Sequence, residues 1–88
     1  MRIVPGFLIR EIAGETIAIP TGEAARHLSG LIALNGSGEF LFRLLQAEQT
    51  EDSLLQAFMD SYEVDHTTAQ KDINEFLTML RKDDLLTD

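Results

Sequence analysis

Cysteine is absent from the 88 residues. Disulfides, thiolate nucleophiles and Cys-ligated zinc or iron–sulfur centres are therefore excluded, and a reducing compartment is the simplest setting. Cations are scarce. Seven Lys and Arg stand against fifteen Asp and Glu, for a net charge of −8. The seven, Arg2, Arg10, Arg26, Arg43, Lys71, Arg81 and Lys82, are scattered and form no stripe. A surface that wraps nucleic acid must neutralise phosphates, and this one mostly repels them. The acidic balance fits plain solubility or attraction of a basic partner. Long apolar runs are also missing: none approaches the ~20 residues a membrane-spanning helix needs. The N-terminal stretch Met1–Gly6 has no apolar core of a secretory signal. The expectation is a cytoplasmic protein with no membrane partner.

What is present is enough for a core. Leu, Ile, Val and Phe supply 27 of the 88 residues, well above the level at which chains stay disordered. At this length one domain over residues 1–88 is expected. The first half punctuates like β structure. Phe7–Ile12 and Thr16–Ile19 are short apolar, β-branched runs separated by Ala13-Gly14-Glu15, which reads as a hairpin. Alternation puts Ile17 and Ile19 on one face and Thr16 and Ala18 on the other. Pro20 ends the second strand. Thr21–Gly30 reads as a polar connection. Leu31–Leu34, closed by Asn35-Gly36, reads as a third strand whose start is open as far back as Arg26.

The period then changes. Phe40, Leu41, Leu44 and Leu45 make a helical stripe over Glu39–Gln46, with Asn35 or Ser37 as its cap and Phe42 widening the apolar face. Thr50 caps a second helix marked by Leu54, Leu55, Phe58, Met59 and Tyr62. Asp65 caps a third, whose apolar positions Ala69, Ile73, Phe76, Leu77 and Leu80 follow a clean 3.6-residue period. Leu85-Leu86 closes the chain as an apolar tail. Three strands then three helices predict an α+β domain, with helices on one face of a small three-stranded antiparallel sheet.

Chemistry-bearing patterns are sparse. His27 and His66 have no partner at His-x-x-x-His spacing, so no metal site is expected. Ser29, Ser37, Ser53 and Ser61 lie in no Gly-x-Ser-x-Gly elbow. Gly36-Ser37-Gly38 lacks the lysine of a phosphate loop and reads as helix capping. The acidic pairs Glu51-Asp52 and Asp83-Asp84 read as solvated helix ends. No catalytic residue and no cofactor site are expected. What remains is backbone: in a three-stranded meander the third strand is an edge, able to accept an extended peptide as a fourth strand.

The order of the motifs is more telling than any one of them. Leu34-Asn-Gly-Ser-Gly-Glu-Phe-Leu-Phe-Arg-Leu-Leu is followed by Thr50-Glu-Asp-Ser-Leu-Leu and Tyr62-Glu-Val-Asp. Then come Ala69-Gln-Lys-Asp-Ile-Asn-Glu-Phe-Leu-Thr-Met-Leu and Asp84-Leu-Leu. This series resembles the PqqD family from Phe7 to Leu86. Phe42 stands where that family often has Trp, and Asp84 where Gly often precedes the terminal Leu-Leu. The resemblance implies a winged-helix-like recognition element, without catalysis of its own, that binds the leader of a ribosomally made precursor peptide. Such an element delivers the leader to a modifying enzyme, often a radical SAM enzyme, in pyrroloquinoline quinone synthesis or another peptide-modification pathway. By position the leader would contact Leu31, Ile32, Ala33 and Leu34, and the third helix at Gln70, Ile73, Asn74, Leu77 and Arg81. Ile73 and Leu77 also read as core, the favoured reading of the two. The alternatives are a winged-helix nucleic-acid-binding or regulatory protein, which the −8 charge disfavours, and a subunit that only scaffolds its enzyme. A monomer and a weak edge-to-edge homodimer both fit an open strand edge.

Overall fold

The computed structural model describes residues 1–87. The hairpin forms as its turn chemistry dictates. β2 (Phe7–Ile12) and β3 (Glu15–Pro20), which follow a two-residue β1 (Arg2–Ile3), pair antiparallel around Ala13-Gly14. Both turn residues have positive φ, 54° and 81°. That is the backbone of a type I′ loop, whose twist matches that of the flanking strands.

The stretch Thr21–Gly30 is not only a connection. It carries a short helix, α1 (Ala24–His27), with Ala24 fully buried. Ala24 and Leu28 make a single i, i+4 pair, too short to read as a helical period, so only packing reveals it. β4 (Ile32–Leu34) then pairs antiparallel with β3 and completes a sheet of order β2-β3-β4. It starts one residue after Leu31, which lies outside the strand at 61% exposure. Leu86–Thr87 form β5, which pairs with β1 and ties the two ends of the described chain together. Two-residue strands leave no alternation to read, so this second ladder was invisible in the sequence.

The helices follow their caps. α2 (Gly36–Leu44) begins three residues earlier than the apolar stripe indicates, because the Asn35 side chain accepts from the Gly38 N–H at 2.7 Å. α3 (Glu51–Ser61) starts at a capping box in which Thr50 and Ser53 each accept the other's backbone N–H. α4 (His66–Lys82) starts where Asp65 accepts from the Thr68 N–H at 2.7 Å. Its far end closes on a Schellman pattern: Leu85 N–H donates to the Leu80 carbonyl, and Asp84 N–H to that of Arg81. Asp84 takes the left-handed conformation there, φ 55°. The apolar tail is thereby turned inward, and Leu80 and Leu85 are both buried.

The core lies between the sheet and the helices. Phe42, Phe58, Leu45, Leu54, Leu77, Leu80, Leu85 and Ile3 are its largest fully buried side chains. Phe7 meets Phe42 edge-on at 5.2 Å between ring centres. The residue that β3 presents inward is Ala18, with no exposed surface, while Ile17 and Ile19 turn outward. They are half-buried and share the outer face of the sheet with Leu8 and Ile12, 42% and 50% exposed, and with Arg10 and Glu15.

Candidate functional site

The free edge of β4 follows from the hairpin. A two-residue loop makes its closing pair, Ile12 and Glu15, a hydrogen-bonded one, and such pairs alternate along an antiparallel ladder. Arg10–Ile17 and Leu8–Ile19 are then hydrogen-bonded as well. The Thr21 N–H donating to the Gly6 carbonyl at 2.9 Å continues the series. Pro20, opposite Phe7, falls in a slot where its missing N–H costs nothing. Thr16 and Ala18 therefore turn their backbone groups toward Leu34 and Ile32. Ala33, opposite Ile17, keeps its own N–H and C=O directed at the open side of the sheet. Its side chain is exposed, while Ile32 and Leu34 point to the helix side and are half-buried.

Beside the end of this strand lies a recess between α2 and α4. It is lined by Asn35, Ser37, Gly38 and Leu41 on one side and by Asp72, Glu75, Phe76 and Met79 on the other. A Cβ at Gly38 would crowd the capping Asn35 Oδ1 at 3.0 Å and stand in ordinary contact with the Phe76 ring at 3.6 Å and Leu34 at 3.8 Å. A second recess continues past Ala33, Leu34 and Asn35 to Glu15, Thr16 and Glu39. Neither is lined by a lysine or arginine. Glu39 is already committed. The Arg43 guanidinium at 2.8 Å and the Thr16 hydroxyl at 2.9 Å both donate to it and hold its carboxyl below the ordinary value.

α4 divides the residues expected to meet a peptide. Ile73 and Leu77, 3% and 1% exposed, belong to the core with Ala69 and Leu80, and offer no side-chain surface to a ligand. Gln70 and Asn74 are exposed on the flank that faces α3, in a small recess with Glu51, Asp52 and Leu55. Arg81, on that same flank, has its guanidinium 3.9 Å from the Met1 sulfur. The flank beside the end of β4 is instead Asp72, Glu75, Phe76 and Met79. These four were missed. The available signal was surplus: Ala69, Ile73, Leu77 and Leu80 already fill an inward stripe, which leaves Phe76 and Met79 as apolar residues without a place in the core.

No group of three or more His, Asp or Glu residues converges in a way that could hold a metal ion among the described residues. No described helix is long and apolar enough to cross a membrane.

Comparison with known proteins adds two matches. The family model described as "Coenzyme PQQ synthesis protein D (PqqD)" matches residues 21–86. The solved structure of TbiB1 in complex with the TbiA(beta) leader peptide superposes with a TM-score of 0.73. It is 21% identical in sequence, over the whole of both chains, and so shares the fold. A search of curated proteins finds no match. With a family match over three-quarters of its length, in the part that holds β4 and the helices around it, the chain belongs to the PqqD family.

Proposed function

We propose that this chain binds the leader segment of a ribosomally made precursor peptide as an added strand on β4. It would present that peptide, in the cytoplasm, to a modifying enzyme, for which a radical SAM enzyme of a quinone-cofactor or related peptide-modification pathway is the favoured class. It would itself supply no catalysis. The observation that carries this reading is the backbone of Ala33, turned to an open edge next to a recess walled by Phe76 and Met79. Main-chain hydrogen bonds to such an edge give affinity, and alternate side chains entering the recess give specificity. The leader bound to TbiB1, a protein of the same fold, supports it.

The register follows from the strand's geometry. A leader residue placed opposite Ala33 exchanges hydrogen bonds with it and points to the outer face. Its two neighbours point inward, alongside Ile32 and Leu34. Titration of the 15N-labelled protein with the leader of a precursor encoded beside it tests the reading. Amide shifts are expected on residues 31–35 and on Asp72, Phe76 and Met79. Ala33→Pro, which removes one of the two outward groups, is expected to weaken binding about tenfold. Shifts centred on Phe7–Ile19, with Ala33→Pro binding normally, would overturn this mode of binding.

A further inference from the structure

The recess beside β4 combines an apolar seat with unused negative charge. Phe76 is half-buried and Met79 is 38% exposed. Asp72, one helical turn before Phe76, is half-buried in the same wall. Among the described residues its carboxylate takes part in neither of the two ion pairs, which are Met1 with Glu48 and Arg43 with Glu39. A carboxylate partly withdrawn from water without a counter-ion is best satisfied by a cation brought by the ligand.

Resting on the reading of β4 as the leader-binding edge, we infer that the leader recognised here carries a Lys or Arg two positions from an apolar anchor. The anchor is seated on Phe76 and Met79, and the cation on Asp72. The spacing comes from the two elements. Four residues of α4 separate Asp72 from Phe76 by about 6 Å along the helix axis. Successive inward side chains of an added strand stand about 6.8 Å apart. In a strand laid along α4, one inward leader residue over Phe76 therefore brings the next within reach of Asp72. A second copy of this chain is the poorer occupant, because each copy carries a net charge of −8. A neutral or acidic strand leaves Asp72 unpaired.

The test is a library of random 12-residue peptides displayed on yeast and sorted against labelled wild-type protein, Asp72→Asn and Ala33→Pro. Circular dichroism confirms that each variant is folded. Wild type is expected to enrich peptides with Lys or Arg two positions from Leu, Ile, Met or Phe. Replacing that cation by Gln in a synthetic copy should weaken binding about three- to tenfold at low salt. Asp72→Asn should enrich peptides that keep the apolar anchor and have lost the cation. If both proteins enrich the same peptides without a cation, while Ala33→Pro fails to bind them, the edge reading stands and this inference falls. If Ala33→Pro binds the selected peptides as wild type does, or wild type enriches none, the edge reading falls and takes the inference with it.

Discussion

Single residues carry several of the decisions in this fold, and Asp84 is the plainest. It stands at the one position after α4 that must be left-handed, φ 55°, where an L side chain is strained and glycine is not. Asp84→Gly is expected to stabilise the protein by about 0.5–1 kcal/mol, read as a higher urea midpoint at unchanged slope. Two carboxylates set the acid limb of stability. Glu39 is held below its ordinary value of 4.5, chiefly by the Arg43 hydrogen bond and then by Thr16. Asp65 is held below 3.8, chiefly by the Thr68 N–H it caps. A lowered folded value means that the unfolded chain takes up protons first. Their contribution is complete above the ordinary values and is lost as pH falls through the lowered ones. Thermal melts from pH 7 to pH 3 should show a falling midpoint below about pH 4.5. Glu39→Gln with Asp65→Asn should lower the midpoint at pH 7 and flatten that fall.

At the scale of elements, α4 has three sides with different duties. Ala69, Ile73, Leu77 and Leu80 form the buried stripe, Gln70 and Asn74 border α3, and Asp72, Phe76 and Met79 border the recess beside β4. Two exposed positions on opposite flanks separate peptide recognition from stability. Met79→Lys is expected to weaken leader binding about five- to tenfold by removing an apolar contact and placing a charge in the recess. Asn74→Lys, on the α3 flank, is expected to leave it unchanged. Calorimetric titration of both variants checks the pair, and equal losses would return Gln70 and Asn74 to the peptide-binding face. The helix period was plain in the sequence, and the buried stripe with it. Which flank faces the strand was not, because a period gives the direction of the core and says nothing about what stands to either side of it.

For the whole molecule, charge and the open sheet edge bear on the proposed partner. The net charge of −8 and the scattered cations predict that duplex DNA binds poorly at ~150 mM salt. A mobility-shift titration checks this, and sub-micromolar binding there would favour a nucleic-acid regulator instead. The helices cover one face of the sheet. The outer face keeps Leu8, Ile12, Ile17 and Ile19, and the β4 edge lies beside it. The inward row carries Phe7 and Ile9 against the core, with Ala18 wholly buried and Thr16 bonded to Glu39.

The local features were written in the sequence: the glycine-containing turn between β2 and β3, the caps at Thr50 and Asp65, and the stripe of α4. Each depends on residues a few positions apart, where backbone sterics and side-chain hydrogen bonds decide the outcome alone. The tertiary structure decided the rest. It paired β1 with β5, folded α1 around Ala24, turned the Ile17–Ile19 row outward, and set Asp72, Phe76 and Met79 beside the end of β4. These outcomes join segments that lie far apart in the chain. They are chosen by which close-packed arrangement buries Phe42, Phe58 and the leucines around them, a choice that no short stretch of sequence contains.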